Sequence, residues 1–312
     1  MNILKVAAAL FSALLGVSRV IPQSHLSQTA PAMTGQAETA SVYVTAVTNK
    51  GKLIPNLKPE DIAIVEDKLL ARIEKVSCGK PETVLVGTLI DVSGSRRSDS
   101  RLKSHYDDLE VFLNHLLTTD DGAYVVAFND SIYKLSQVIS DRTQLNEAFE
   151  KLRRLQPHSS TALYDTVKAA AGADFKGRSG HRILVVVGDW EDNSSRITID
   201  EAVKAAQRTF TTIYAVVDSD SGMVDKKFHK RAVARAKEFT EETGGLAYIV
   251  EEKNDFARAL QAIDSDIAGA CKVDYTPSSK SPDAQQGTKI HVEATSKDIS
   301  IYYPRVRFGI DQ

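Results

Sequence analysis

Five apolar runs between residues 84 and 250 constrain the fold most strongly, because amphipathic segments separate them. Their hydrophobicity is continuous rather than alternating, as in strands that are buried on both faces of a parallel sheet. The runs are Val84–Ile90, Ala123–Phe128, Ile183–Val187, Ile213–Val217 and Leu246–Val250. The segments between them repeat apolar residues at helix spacing, for example at Leu109, Leu113 and Leu116. We therefore expect an α/β fold with a doubly wound, mainly parallel sheet.

The segments on either side of this region have the pattern of short antiparallel strands, rich in β-branched residues. The predicted strands are Ser41–Thr48, Asp61–Glu66 and Leu70–Val76 ahead of it, and Lys289–Ala294 and Ile301–Phe308 after it. The simplest arrangement places residues 41–77 and 273–312 in one small β subdomain formed from the N- and C-terminal flanks. An α/β domain over residues 82–272 is then inserted between them. Two separate β appendages would give the same pattern.

The first residues have the pattern of an exported protein. Lys5 precedes the apolar run Val6–Val17, which is too short for a comfortable membrane span and is typical of the core of a secretory signal. We predict a signal peptide over residues 1–22 and a flexible linker over residues 23–40, where Ser, Thr, Gln, Ala and Pro dominate. An uncleaved N-terminal anchor is the alternative. Export would place the chain in the periplasm, at the cell surface or outside the cell.

Composition is that of a globular protein, with 42% hydrophobic and 26% charged residues. The formal net charge of -2 gives no reason to expect nucleic acid as a partner. Lysines and arginines form only short clusters, such as Lys226-Lys227 and Lys230-Arg231, which are typical of a solvated helix face.

At the end of the first apolar run, Asp91, Ser93 and Ser95 place one carboxylate and two hydroxyls at alternate positions. A hard cation such as Mg²⁺ takes one or two carboxylates together with neutral oxygens and water. The three side chains meet that need if the backbone turns sharply, which Gly94 permits. An ordinary turn uses the same residue types, so this segment alone leaves both interpretations open.

Two further polar segments fall where loops of the sheet are expected. Ser159–Asp165 leads into a helix, and Gly188–Asn193 directly follows the run Ile183–Val187. In an open α/β sheet, ligands bind beyond the carboxyl ends of the strands. Thr161 and Asp189 would then complete a set of five oxygen ligands from three loops at one sheet edge. Taken alone, Thr161 is also a reasonable helix N-cap.

The combination of Asp91, Ser93, Ser95, Thr161 and Asp189 resembles the metal-ion-dependent adhesion site of von Willebrand factor type A domains. The resemblance covers about residues 83–270, and it implies a Rossmann-like fold in which these five residues are the metal ligands. It implies Mg²⁺ as the cation, with Mn²⁺ suited to the same ligands and Ca²⁺ as a further candidate. It also implies a protein partner that supplies an Asp or Glu to the metal.

The wider layout is similar to a group of secreted bacterial proteins related to this domain, in which segments akin to Asn56–Asp61 and His291–Phe308 flank it. The even count of two cysteines favours a disulfide in an exported chain, with two buried free thiols as the alternative. The resemblance implies a specific Cys78–Cys271 bond, because type A domains bring these two ends together and several extracellular members bridge them.

Three departures from the family pattern surround the expected site. Trp190 stands where the family has a small glycine, and its indole would narrow the site, form part of a binding surface or pack in the core. Ser159 and Ser160 stand where the family has two glycines. Arg96 and Arg97 follow the first motif directly, where they would either repel a cation or attract an acidic partner.

The leading interpretation is an exported, non-enzymatic module that binds a protein partner through a divalent cation. A scaffold or assembly protein with a degenerate metal site, closed by Trp190, is a second interpretation. A metal-dependent hydrolase is the third, with Asp91, Asp189, Glu191 and Asp192 as metal ligands. Against the hydrolase, no general base or nucleophile is visible in register with these loops.

Overall fold

A computed structural model describes residues 39–173, 175, 178–218, 226–251, 255–277 and 287–308. The predicted signal peptide and nearly all of the predicted linker lie outside these residues. In chain order the strands are β1 Ala40–Thr48, β2 Ile62–Glu66, β3 Leu69–Leu70, β4 Arg72–Cys78, β5 Val84–Asp91, β6 Gly122–Phe128, β7 Ile132–Lys134, β8 His181–Gly188, β9 Thr211–Asp218, β10 Ala247–Val250, β11 Cys271–Thr276, β12 Thr288–Ala294, β13 Ile299–Tyr302 and β14 Val306–Arg307. The helices are α1 Leu102–Leu116, α2 Arg142–Arg154, α3 Leu163–Ala173, α4 Ile199–Arg208, α5 Lys226–Thr243 and α6 Asp255–Gly269. Among the helices of this described part, none is long and apolar enough to cross a membrane.

The α/β region is built on a six-stranded sheet of order β10-β9-β8-β5-β6-β7. All neighbouring strands pair in parallel except the edge strand β7, which runs antiparallel to β6. Every residue of β5, β6 and β9 is buried, because helices cover both faces of the sheet. Helices α1, α2 and α6 pack on one face, and α3, α4 and α5 pack on the other. The predicted doubly wound α/β fold is confirmed.

The flanking strands form two antiparallel sheets of four strands each, with the orders β13-β1-β11-β4 and β14-β12-β2-β3. Each sheet combines strands from both ends of the chain, since β1 and β4 pair with β11 and β2 pairs with β12. The two sheets share one apolar core, in which Val44, Ile64, Val273 and Val292 are buried. The flanks therefore form one β unit. Its boundaries at residues 82 and 272 stay predictions, because the flanks and the α/β region belong to one compact unit.

Two of the predicted flanking strands are each divided in the structure. The predicted strand Leu70–Val76 covers the end of β3 and most of β4, because the chain passes from one sheet to the other at the buried residue Ala71. The predicted strand Ile301–Phe308 covers the end of β13 and all of β14. Pro304 lies between them, and a proline has no N–H to donate to a strand ladder.

Strand β1 connects the β unit to the amino end of the parallel sheet. Val42 and Val44 point into the core of the β unit. On the opposite face, the ring of Tyr43 stacks on the imidazole of His181, the first residue of β8, with the ring centroids 4.0 Å apart. Both faces of β1 are therefore in contact with other parts of the protein, which explains why its alternating sequence is buried along most of its length.

Cys78 and Cys271 form a disulfide, which confirms the predicted pairing. The two residues are directly opposite in the ladder between β4 and β11. The bond joins positions 193 residues apart and closes the loop that contains the whole α/β region. On the chain-entropy model a loop of this length stabilises the folded state by roughly 5 kcal/mol.

Candidate metal centre

The first loop of the candidate site leaves the sheet at Asp91, the last residue of β5. The backbone amide of Ser93 donates a hydrogen bond to Asp91 Oδ1 at 2.7 Å, which turns the chain back over the end of the strand. A single 3₁₀ turn, Gly94–Arg96, follows and carries Ser95. Asp91 and Ser93 are almost fully buried, with exposed fractions of 2% and 1%. The first loop therefore buries Asp91 and Ser93, whereas Ser95 is exposed at the surface.

Backbone hydrogen bonds attach the second loop to the first. The amide of His158 donates to the carbonyl of Val92 at 3.0 Å, and the amide of Gly94 donates to the carbonyl of Ser159 at 2.9 Å. Ser159 has a φ of 68°, in the left-handed region that favours glycine. The family pattern has glycine at this point. Ser159 therefore adopts a left-handed conformation that costs glycine the least conformational energy.

The third loop is attached to the second around Thr161. The amides of Asn193 and Ser194 both donate to the Thr161 carbonyl at 3.0 Å, and the Thr161 amide donates to Asn193 Oδ1 at 2.8 Å. Thr161 is only 3% exposed. Because β8 is the parallel neighbour of β5, the loop that follows it lies at the same edge of the sheet as Asp91. All three predicted loops therefore meet at one place.

Side-chain hydrogen bonds link most of the predicted ligands directly. The Ser95 hydroxyl donates to Asp189 Oδ2 at 2.5 Å, and the hydroxyl oxygens of Ser93 and Ser95 are 3.0 Å apart. Asp91 joins this chain through the Ser93 amide. Thr161 joins it through the backbone of the third loop, because the amides of Asn193 and Ser194 donate to its carbonyl. The structure thus brings the five residues together, and their role as metal ligands stays a prediction.

Among the described residues, no ion pair joins the carboxylates of Asp91 and Asp189 to a cation, and the charge of Arg96 lowers the pKa of Asp91 only in part. Burial, and then the neighbouring Asp189 carboxylate, raise the pKa of Asp91 to about 7. Asp91 Oδ2 is buried and has no hydrogen-bond partner within the described residues. Gly188 leaves space for it, since a Cβ at that position would lie 2.9 Å from Asp91 Oδ2. An unsatisfied carboxylate oxygen beside neutral hydroxyls is a donor set that fits a hard divalent cation.

No protein-family model matches the sequence, and no curated protein matches it. Solved structures do match. A von Willebrand factor type A protein from Catenulispora acidiphila is 14% identical and aligns with 82% of this chain and 75% of its own, with a TM-score of 0.50. The chain has the von Willebrand factor type A fold. Proximal thread matrix protein 1 from the mussel byssus is 13% identical and covers 65% of this chain and 51% of its own, also with a TM-score of 0.50. At these identities the likeness establishes the fold alone.

In this type A fold, the Trp190 side chain packs in the core, where it lines a small cavity together with Asp91. Its side chain is 2% exposed, and its indole N–H donates to the carbonyl of Val216 at 3.2 Å. The indole also makes an edge contact with the ring of Phe239, with the centroids 5.7 Å apart. Of the three roles open to this residue from the sequence, the structure shows core packing.

Arg96 is buried beneath the first loop and does not face the candidate site as a free cation. Its guanidinium donates to both the carbonyl and the carboxylate of Asp218, the last residue of β9, and lies 3.0 Å from Asp99 Oδ2. Burial alone would raise the pKa of Asp218, but hydrogen bonding to His105 and the charge of Arg96 lower that pKa below its ordinary value. Arg97, in contrast, is exposed.

This buried cluster of Arg96 and its partners is itself rich in potential metal ligands. Single ligand atoms of Asp99, His105 and Asp218 lie within 4.8 Å of one another. However, the guanidinium groups of Arg96 and Arg101 both contact Asp218, the latter at 3.1 Å, so two cations already balance the two carboxylates. The loops around Asp91 therefore remain the better candidate for a divalent cation.

The sequence alone did not identify the cluster around Arg96. Arg96 and Asp218 are 122 residues apart, and no sequence motif links them. The only available signal was an aspartate at the end of a fully apolar run, where a buried carboxylate needs a cationic partner. That signal predicts the existence of a partner without saying which arginine supplies it.

Proposed function

We propose that this chain is an exported, non-enzymatic module that binds a protein partner through a divalent cation. The observation that carries the proposal is the meeting of Asp91, Ser95 and Asp189 at one sheet edge, with a buried Asp91 oxygen left unsatisfied. The type A fold positions the three loops, and the side chains on these loops provide the oxygen ligands. Asp91, Ser93, Ser95, Thr161 and Asp189 would hold the cation.

These residues do different work in the proposed site. Asp91 and Asp189 provide the negative charge, while the Ser93, Ser95 and Thr161 hydroxyls provide neutral oxygens that leave the net charge of the site low. When bound, Mg²⁺ or Mn²⁺ supplies a vertex that a partner's Asp or Glu carboxylate can fill. The loop-to-loop hydrogen bonds keep the protein oxygens in place, so little rearrangement accompanies binding.

The disulfide supports the exported location. Disulfides persist in oxidising compartments and are rare in cytosolic proteins. The Cys78–Cys271 bond is therefore consistent with the charged and apolar pattern of residues 1–22, which predicts a secretory signal. We place the protein in the periplasm, at the cell surface or outside the cell.

The contacts of the third loop give Asp192 a structural role. Asp192, a metal ligand in the hydrolase interpretation, accepts hydrogen bonds at Oδ2 from the Tyr164 amide at 3.1 Å and from the Ser195 hydroxyl at 2.6 Å. Asp192 thus stabilises the start of α3. The scaffold alternative depended on closure by Trp190, and the indole of that residue lies in the core instead.

Isothermal titration with Mg²⁺ and Mn²⁺ tests this proposal. We expect the wild-type protein to bind one cation at the candidate site, and we expect Asp91→Ala and Ser95→Ala to weaken or abolish the binding. A matched control is Asp120→Ala, which removes an exposed carboxylate just ahead of β6, at the opposite end of the sheet from the candidate site. If the wild type binds neither cation, the proposal is wrong and the site is degenerate for a reason other than closure by the Trp190 indole. Metal-dependent turnover of ester or phosphoester substrates would instead support the hydrolase.

A further inference from the structure

The first two turns of α5 present an exposed surface that is both basic and aromatic. We define the α5 patch as Lys226, Phe228, Lys230 and Arg231. Phe228 is 45% exposed, and the Arg231 guanidinium lies 5.9 Å from the centroid of its ring. Within the part of the chain that the structure describes, no carboxylate pairs with Lys226, Lys230 or Arg231. The patch therefore has charge and apolar area available for a partner.

The α5 patch lies at the same sheet edge as the candidate metal site. Helix α5 follows β9 and packs beside it, so its first turns are near the carboxyl ends of the strands. Arg235 donates to the carbonyl of Trp190, which is next to Asp189 in the chain, and its guanidinium lies 5.9 Å from the Tyr164 ring centroid. Phe228, Arg231 and Arg235 have the spacing of one helix face. The patch is thus continuous with the third loop.

Folding does not account for this arrangement of charges. The first turn of α5 contains no acidic residue, and lysines there are disfavoured by the helix macrodipole. Helix α4 shows the stabilising alternative, with Asp200 and Glu201 in its first turn and a capping box at Thr198. The α5 patch also leaves an aromatic ring in water. A solvated helix face, which the sequence indicates, needs neither feature.

We propose that the α5 patch is a second contact surface for the same protein partner, and that it binds an acidic segment of that partner. The inference rests on the proposed function, because the partner's first carboxylate is the one held at the metal site. Arg231 and Lys230 would pair with further carboxylates, and Phe228 would pack on an apolar side chain between them. An extended nucleic acid fits less well, since the formal net charge of the chain is -2.

Selection from a phage-displayed library of random peptides tests this inference without knowledge of the natural partner. The immobilised proteins are the wild type, the patch variant Lys230→Gln/Arg231→Gln, and the control variant Lys204→Gln/Lys237→Gln. The control removes two exposed cations, one of them from the second half of α5. Peptides are bound in Mg²⁺ and released with EDTA. All three proteins should have the same thermal midpoint, because the substituted side chains are exposed.

We expect EDTA-released peptides from the wild type and the control to carry one acidic residue together with a second acidic cluster. The patch variant should select peptides that lack the second cluster, and it should bind the wild-type peptides roughly 5- to 30-fold more weakly. The inference would be overturned if the wild type and the patch variant select equally acidic peptides and bind the wild-type peptides with equal affinity. A loss of heparin binding in the patch variant with unchanged peptides would also overturn it, and would indicate a general polyanion surface.

Failure of the proposed function gives a different result in the same experiment. In that case no peptide is released from the wild type by EDTA, whatever its sequence. Such an outcome would overturn the metal-dependent binding and the α5 inference together. EDTA-released peptides with no second cluster would leave the metal-dependent binding intact and overturn only the inference.

Discussion

The Ser95 hydroxyl donates a hydrogen bond to Asp189 Oδ2 across 2.5 Å, although the two residues are 94 positions apart in the chain. The contact joins the loop after β5 to the loop after β8, and backbone hydrogen bonds around Thr161 and Ser159 complete the connection. An oxygen cluster is therefore assembled by the protein itself. Since these groups are already positioned, cation binding would cost little conformational entropy.

The first prediction concerns the unsatisfied carboxylate of Asp91. Asp91→Asn removes a buried charge beside Asp189, so it should stabilise the metal-free protein by about 1–3 kcal/mol. The same change should abolish the stabilisation of the protein by Mg²⁺. Urea denaturation with EDTA and with Mg²⁺ measures both effects. The prediction is contradicted if the variant is less stable than the wild type in EDTA and is still stabilised by Mg²⁺. Asp91 would then neither destabilise the metal-free protein nor bind the cation.

The second prediction treats Arg96 as a residue that positions the first loop. Arg96→Met should weaken Mn²⁺ binding by roughly tenfold, because Asp218 no longer holds the turn that carries Ser95. It should also cost about 3–5 kcal/mol of stability, as expected when one partner of a buried ion pair is removed. Titration calorimetry and urea denaturation give the two values.

Arg307→Met is the matched control for Arg96→Met. Arg307 is also buried, with its Nε 2.8 Å from Glu66 Oε1, but it lies in the β unit. Its substitution should cost a similar free energy of unfolding and leave Mn²⁺ affinity unchanged. Equal losses of Mn²⁺ affinity in the two variants would show that Arg96 acts only through global stability.

The third prediction is a pH dependence of stability that arises at His181. Burial lowers the pKa of His181 to about 3, from an ordinary value of 6.5. The His181 imidazole therefore binds a proton more strongly in the unfolded chain than in the folded protein. As a result, the free energy of unfolding falls as the pH drops from about 6.5 toward 3. The loss from His181 should reach about 2 kcal/mol between pH 7.5 and pH 5.

Substitution of the imidazole isolates this contribution. His181→Phe keeps an aromatic ring against Tyr43 but cannot be protonated. Its free energy of unfolding should therefore change by about 2 kcal/mol less than that of the wild type between pH 7.5 and pH 5. Urea midpoints at pH 7.5 and pH 5 provide the comparison. The lost hydrogen bond to Thr212 affects both pH values equally. An identical pH dependence in wild type and variant would mean that His181 is accessible to protons in the folded state.

The fourth prediction separates the disulfide from the candidate site. Replacing Cys78 and Cys271 with serine should lower the free energy of unfolding by roughly 5 kcal/mol. Mn²⁺ affinity should stay within about twofold, because Cys78 precedes β5 whereas Asp91 ends it. Chemical denaturation and calorimetry on the double variant measure both. A large loss of affinity would connect the β unit to the metal edge and contradict the prediction.

Much of the fold follows from the sequence because its strands are buried on both faces. Runs such as Val84–Ile90 and Ile213–Val217 are continuous in their hydrophobicity, and each lies within an observed strand. The meeting of the three loops was also predictable, since parallel strands place their carboxyl ends at one edge. The resemblance to type A domains supplied the pairing of Cys78 with Cys271, which composition alone left open.

Features that depend on long-range contacts could not be predicted from local patterns. The division of Leu70–Val76 arises because the chain changes sheets at Ala71, and sequence periodicity carries no information about which sheet a strand joins. The direction of the Trp190 indole depends on a carbonyl of β9, and the neutralisation of Arg96 depends on Asp218, at the end of that strand. Each partner is distant in the chain.

Crystallography of the protein with Mn²⁺, using anomalous scattering to locate the ion, tests the central claim most directly. The account predicts a strong anomalous peak among the side chains of Ser93, Ser95 and Asp189, with Asp91 and Thr161 around it. That peak should be lost in Asp91→Ala. A map without a peak at this edge, or with the only peak between Asp99 and Asp218, would contradict the account.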